Sequence, residues 1–170
     1  MPTQQTKATD KPAATLTLAD ALGKAVMFMN SGKPNEAEKM LNAILEAKPD
    51  QFDALHLMGV QKATQGAYQD GINFLVKALK LKPDSAEAFL NLGNALQGAR
   101  RNEEALASYD KALTLKPEYP EALSNRGVVL RHLGRNAEAI ESYERALKIK
   151  PGYQQAVQNR DHLLAEMNRH

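Results

Sequence analysis

Apolar and small residues recur along the chain with the spacing of amphipathic helices, and the whole pattern repeats every 34 residues. The repeat is marked by a lysine-proline pair whose prolines are Pro49, Pro83, Pro117 and Pro151. The segments that lead to these prolines are alike: AILEAKP, KALKLKP, KALTLKP and RALKIKP. Counting back from the prolines gives four units, 18–51, 52–85, 86–119 and 120–153. A period of this length predicts stacked supersecondary units rather than several independent domains.

Each unit predicts two amphipathic helices joined by a tight turn. Positions 4, 7, 8 and 11 of a unit share one helical face, and so do positions 20, 24, 27 and 28. The eighth position holds a small residue in every unit: Ala25, Gly59, Gly93 and Gly127. Position 24 holds a large one: Leu41, Leu75, Tyr109 and Tyr143. We expect the small residues to let helix backbones approach closely, so that bulkier side chains there would overpack the core.

Turn and capping signals fit this division. In the third unit Arg100 takes the place of a turn glycine that the other units supply as Gly32, Gly66 and Gly134. Asn102 and Asn136 stand where the second helix of their units needs an N-cap, so we expect them to cap it. The lysine that ends each second helix faces the negative end of the helix dipole, and the proline after it stops the helix.

Composition removes several classes of function. The 170 residues include 22 basic and 20 acidic side chains, a net charge of +2, which gives no electrostatic footprint for nucleic acid or anionic membranes. The chain has no cysteine, which excludes disulfides, thiolate zinc sites and cysteine nucleophiles. No apolar run approaches the ~20 residues of a membrane span, and residues 1–17 lack the apolar stretch of a secretory signal. We therefore expect a soluble, cytoplasmic protein that binds neither nucleic acid nor membrane.

The chain also lacks the motifs that carry catalysis. It contains no G-x-S-x-G sequence, no Gly-rich phosphate loop and no H-E-x-x-H sequence. Its histidines do not show the spacing of metal ligands on one helix. We therefore expect no enzyme activity, no metal site and no cofactor.

The four in-register copies over residues 18–153 resemble the tetratricopeptide repeat. The resemblance implies an all-α fold, a right-handed α-solenoid of four antiparallel helix pairs whose first helices line a concave groove. One unit cannot bury its apolar face alone, so neighbouring units share stability and the ends need polar caps. We expect repeats over 15–153, a C-terminal capping helix over 154–170 that places Ala156, Val157 and Leu164 at apolar positions, and a disordered N-terminal arm over 1–14.

The resemblance also implies that positions 2, 6, 9 and 13 of each first helix face the groove. The sixth position repeats an asparagine in Asn91, Asn125 and Asn159, and such a ladder could bond the backbone of an extended peptide. The array is similar to the repeats of the O-linked N-acetylglucosamine transferases, whose Asn-Leu-Gly is matched in full by 91–93. The candidate groove residues are Asn91, Asn94, Asn125, Asn159, His132 and His162, with Arg131 at the rim. His132 and His162 could face each other from adjacent first helices.

The N-terminal half of the groove is apolar instead. Its candidate contact patch, here called the apolar patch, consists of Leu22, Val26, Met29, Leu57 and Val60. An exposed apolar patch usually marks a contact surface. A partner helix, a second copy of the chain and the chain's own arm all fit it, and the sequence leaves these open.

The main functional hypothesis is a non-catalytic module that binds a protein or peptide partner in the groove. One alternative is the substrate-presenting segment of a larger protein glycosyltransferase, and another is a homo-oligomeric adaptor that uses the apolar patch. We do not expect the carboxylate clamp by which related repeats bind heat-shock chaperone tails. That clamp needs cations in the groove, and glutamates Glu87 and Glu121 occupy places where it needs lysine.

Overall fold

The structure, a computed structural model, describes residues 16–169, and the arm expected at 1–14 lies outside them. Within this range the chain forms nine α-helices and no strand: α1 (Leu18–Asn30), α2 (Pro34–Ala47), α3 (Phe52–Thr64), α4 (Tyr68–Leu81), α5 (Ala86–Gly98), α6 (Asn102–Leu115), α7 (Pro120–His132), α8 (Asn136–Ile149) and α9 (Gln154–Met167). The odd-numbered helices begin 34 residues apart, as do the even-numbered ones. The helices thus follow the sequence period from end to end, while the division into domains stays a prediction.

The packing order of the helices makes a solenoid with an inner and an outer layer. Every helix packs against its neighbours in the chain. The odd-numbered helices also contact one another in the order α1, α3, α5, α7, α9, whereas no two even-numbered helices are in contact across residues 16–169. The odd-numbered helices therefore lie on the inner, concave side. The expected fold, a right-handed all-α solenoid of four antiparallel helix pairs with a C-terminal helix, is confirmed.

Close approach of the two helices in a unit depends on the glycines at position 8. Tyr109 and Tyr143, at position 24, are both 0% exposed. Their rings occupy the space beside Gly93 and Gly127, where an added Cβ would lie 2.5 Å from the ring. No larger residue fits there without displacing a buried aromatic ring, as the pattern of small residues predicted.

The starts of the second helices differ from expectation. Asn102 and Asn136 are the first residues inside α6 and α8, so the prediction that they cap these helices is wrong. The N-cap of α6 is Arg101, whose Nε and Nη2 donate to the carboxylate of Glu104 at 2.7 and 2.6 Å. Arg135 makes the same fork at the start of α8 with the glutamate three residues on. A side-chain ion pair, rather than an asparagine cap, therefore stabilises the first turn of α6 and of α8.

The turns between paired helices use a left-handed backbone conformation in every unit. Three of them place glycine there, and the third unit places Arg100 there with φ at 60°. At the other end of the second helices, the lysine before proline lies over an aromatic ring in the second, third and fourth units. Lys116 Nζ is 4.1 Å from the ring centroid of Tyr119, and Lys150 Nζ is 4.8 Å from that of Tyr153. These lysines therefore make a cation–π contact besides facing the helix terminus.

The last helix packs as an incomplete unit. Ala156 and Leu163 are its buried residues, with exposures of 0% and 1%. Leu164, at the eleventh position of the helix, is 39% exposed. The equivalent Leu130 is fully buried, but its unit has a second helix, and none follows α9 in the described residues.

Candidate functional site

Two adjoining clefts lie among the second, third and fourth units, near the C-terminal ends of α3, α5 and α7 and the turns that lead into α4 and α6. The larger encloses about 620 Å³ and the smaller about 180 Å³. Tyr68 and Asn94 line both of them, so the two clefts adjoin at these side chains. The other lining residues are Gln97, Gly98, Arg100, Asn102 and His132 in the larger cleft, and Val60, Ala63, Thr64 and Asn91 in the smaller.

An aromatic shelf separates the two clefts. Tyr68 begins α4, and its ring lies against the backbone of Gly98 so closely that no Cβ would fit between them. Tyr68 as a whole is 37% exposed. Sequence reasoning missed Tyr68, although two signals were present. The equivalent positions of the other units hold proline or asparagine. The boundary between the second and third units is also the only one that pairs an aromatic residue at this position with a glycine at position 13 of the next unit.

A hydrogen-bond chain orients the amides of the larger cleft. Asn94 Oδ1 accepts from Asn125 Nδ2 at 2.8 Å and lies 2.8 Å from the buried hydroxyl of Tyr109. The same hydroxyl is 2.8 Å from Gln97 Oε1 and, with one proton, donates to one of the two oxygens at a time. The amide oxygens are thus turned to Tyr109 and Asn125. The NH₂ groups of Asn94 and Gln97 have no partner among the described residues, and both side chains line the cleft.

The asparagine ladder is only partly available to a ligand. Asn91 Nδ2 lies 2.8 Å from His56 Nε2, and Asn125 donates to Asn94 as described above. Two of the three ladder amides therefore already use their NH₂ group in a hydrogen bond within the protein. Asn91 still lines the smaller cleft, and Asn159 is half-buried on α9. The ladder as a peptide contact stays a prediction.

His56, which sequence reasoning left without a role, holds Asn91 in place. Its side chain is buried and stacks on Phe52 with ring centroids 5.7 Å apart. Burial lowers the pKa of His56 below its ordinary value, although the carboxylates of Glu87 and Asp53 act in the opposite direction. A neutral imidazole has one acceptor nitrogen, and Nε2 can take that role toward the Asn91 amide.

The two candidate histidines of the groove lie in different surroundings. His132 lines the larger cleft, whereas His162 Nε2 lies 3.0 Å from Glu166 Oε1 on its own helix. No hydrogen bond joins His132 to His162 in the described chain. Arg131, expected at the rim, donates from Nη2 to the same Glu166 oxygen at 2.9 Å and so links α7 to α9. Its charge is already matched by a carboxylate.

The apolar patch is less open than its sequence suggested. Leu22 and Leu57 are partly buried against the core of the first two units, and Met29 and Val60 are half-buried. Val26, at 37% exposure, is the most accessible member. Its role as a contact surface stays a prediction.

The described residues contain no group of three or more His, Asp or Glu side chains placed to hold a metal ion. In the same part of the chain, none of the helices combines the length and apolar character needed to cross a membrane.

Comparison with known proteins agrees with the repeat. A family model described as tetratricopeptide repeat matches residues 58–120 and 90–154, together more than half of the chain. No curated protein sequence matches the chain.

Several solved structures share its fold. MamA is 24% identical with a TM-score of 0.72, covering 91% of this chain and 97% of its own. PilF of Pseudomonas aeruginosa is 24% identical with a TM-score of 0.82, covering 89% of this chain and 69% of its own. YrrB, described as a TPR protein with an unusual peptide-binding site, is 20% identical with a TM-score of 0.75, covering 84% of this chain and 73% of its own. At these identities the likeness establishes the fold.

Proposed function

The chain belongs to the tetratricopeptide repeat family, and from that premise we propose that it is a non-catalytic protein-interaction module whose concave groove binds an extended peptide or a partner helix. The observation that carries the proposal is the pair of adjoining clefts, in which amide NH₂ groups without a partner in residues 16–169 stand beside the exposed side chain of Tyr68. A concave site that combines an apolar surface with a few convergent polar groups is the usual form of a binding site.

The chemistry of the clefts suits a peptide backbone. The NH₂ groups of Asn94 and Gln97 can donate to peptide carbonyl oxygens, and the ring of Tyr68 offers a flat apolar surface to a side chain. Tyr109 and Asn125 hold Asn94 in its orientation before any ligand arrives, which reduces the entropy lost on binding. The volume of the larger cleft, about 620 Å³, lies in the range of ligand sites.

The proposal is tested by selecting ligands from a displayed peptide library and measuring their affinity by fluorescence anisotropy. The double variant Tyr68→Ala with Asn91→Ala should weaken binding of selected peptides at least about tenfold, since it removes a stacking surface and a polar contact. The control is Asn42→Ala, an exposed asparagine on α2. Failure to select any peptide, or equal affinity for the double variant and the control, would refute groove binding.

A further inference from the structure

Arg100 occupies a backbone position that disfavours any side chain. Its φ of 60° is in the left-handed region, where the equivalent residues Gly32, Gly66 and Gly134 are free of the penalty that a Cβ brings. A non-glycine residue held in this region is found disproportionately at functional sites. The arginine therefore requires an explanation that the turn itself does not provide.

The side chain of Arg100 is placed to contact a ligand. It is exposed, it lines the larger cleft, and no carboxylate in residues 16–169 pairs with it. The next residue, Arg101, behaves differently, since Glu104 binds it in a two-point fork. Arg131 is likewise neutralised by Glu166. Arg100 thus brings an unmatched positive charge to the cleft.

The remaining lining of this cleft adds donors and no negative charge. Asn94 and Gln97 present NH₂ groups because their oxygens face the Tyr109 hydroxyl. Asn102 and His132 complete the polar lining, and none of the lining residues is acidic. A surface of donors around an arginine is complementary to a carboxylate.

We propose that the larger cleft binds an acidic side chain, aspartate or glutamate, of the peptide in the groove, with Arg100 as its ion-pair partner and the Asn94 and Gln97 amides as additional donors. This inference rests on the proposed peptide binding. It places the recognised charge at the turn between the paired helices. The clamp rejected from the sequence would have placed its cations on the first helices.

The test uses arrayed peptides of about nine residues, about 30 Å when extended, with blocked termini so that no terminal carboxylate is present. The central residue is Glu, Gln or Lys, and the flanking positions are randomised. The wild-type protein should bind the Glu set at least about tenfold more tightly than the Gln set, because a charge-assisted hydrogen bond contributes that much. Arg100→Gly should abolish this preference and, by relieving the backbone, raise the melting temperature by about 2–4 °C.

A second variant checks the donor role of the amides. Asn94→Asp has nearly the same shape but replaces the NH₂ group by a negatively charged oxygen, so binding of the Glu set should fall by more than tenfold. The matched control Asn42→Asp adds the same charge on α2 and should leave binding unchanged.

Equal binding of the Glu and Gln sets, or an Arg100→Gly protein that retains the Glu preference, would overturn the proposal. If peptides bind and are lost in the Tyr68→Ala, Asn91→Ala variant without any Glu preference, only the acidic specificity is wrong. If no peptide set binds at all, groove binding itself is wrong as well.

Discussion

Replacing Tyr143 by phenylalanine is expected to stabilise the protein, whereas the same replacement at Tyr109 should destabilise it. Both side chains are 0% exposed and both rings pack beside a glycine at 2.5 Å from its would-be Cβ. Their hydroxyls differ. That of Tyr109 lies 2.8 Å from the amide oxygens of Asn94 and Gln97 and donates to one of them at a time, whereas that of Tyr143 is buried with no hydrogen-bond partner in residues 16–169.

The difference arises from two positions on the facing helix. Val128 stands in the fourth unit where the third has Asn94, and Arg131 stands where the third has Gln97. Valine has no polar atom to offer, and the Arg131 guanidinium is directed to Glu166. The tyrosine is thus retained in the fourth unit without the amides that satisfy it in the third.

The magnitudes follow from the two environments. A buried polar group without a partner costs about 1–3 kcal/mol, so its removal in Tyr143→Phe should raise the free energy of unfolding by about 1 kcal/mol. Tyr109→Phe removes a hydrogen bond worth about 1 kcal/mol and leaves the oxygens of Asn94 and Gln97 partly to solvent. Two variants of nearly equal shape should therefore differ by about 2 kcal/mol.

Alkaline pH adds a second test of the same hydroxyl. Burial raises the pKa of Tyr143 to about 12, although the charge of Arg131 acts to lower it. Because the folded-state pKa exceeds the unfolded value of about 10, ionisation of this hydroxyl leaves stability unchanged below about pH 10 and lowers the free energy of unfolding as pH rises toward 12. The loss amounts to at most about 1.4 kcal/mol per pH unit, and Tyr143→Phe should escape it.

Urea unfolding followed by circular dichroism at 222 nm, at pH 7 and pH 10.5, measures both effects. The advantage of Tyr143→Phe over the wild-type protein should widen at the higher pH. If Tyr143→Phe instead lowers stability as much as Tyr109→Phe at pH 7, the hydroxyl of Tyr143 is satisfied in solution, and the reasoning is refuted.

Two further perturbations test the packing and the buried imidazole. Gly93→Ala should destabilise the protein by about 1–3 kcal/mol because the added Cβ would lie 2.5 Å from the buried ring of Tyr109. Gly23→Ala should stabilise it by up to about 1 kcal/mol through helix propensity, because nothing lies within 4 Å of the added Cβ. Thermal melts of the two variants measure this difference, and equal shifts in melting temperature would contradict the packing argument. Since burial lowers the folded-state pKa of His56, its stabilising contribution is present above about pH 6.5 and is lost as pH falls below that value. The urea midpoint of the wild-type protein should therefore fall between pH 7.5 and pH 5 by more than that of His56→Gln, and parallel declines would show that His56 is not the group responsible.

The fold could be predicted because one signal is repeated four times in the same register. The lysine-proline pairs mark the ends of second helices, and the small residues at position 8 face large ones at position 24. These features involve residues of one unit or of adjacent units, so the repeated sequence pattern is enough to predict them. The N-cap prediction failed because the Arg101–Glu104 fork stabilises a first turn that begins at Asn102, one residue earlier than a helix capped by that asparagine would begin.

The site was harder to predict because it depends on contacts between units. The shelf needs Tyr68 of the second unit and Gly98 of the third to meet, and no period within one unit reveals such a pair. Likewise, the sequence placed Asn91 in the groove but could not show that His56 of the preceding unit would take one of its amide bonds. Arg100 was recognised as a departure from glycine, yet its lack of a carboxylate partner appears only in three dimensions.

The chain of hydrogen bonds through Asn94 has a mechanical consequence. It begins on α7 at Asn125, crosses α5 at Asn94 and ends on α6 at Tyr109, so one amide fastens the joint between the third and fourth units. Any ligand that engages this amide therefore also contacts the side chain that joins α5 to α7. Peptide binding in the groove and the relative orientation of the third and fourth units should therefore be coupled. A bound peptide would reduce the motion between these two units.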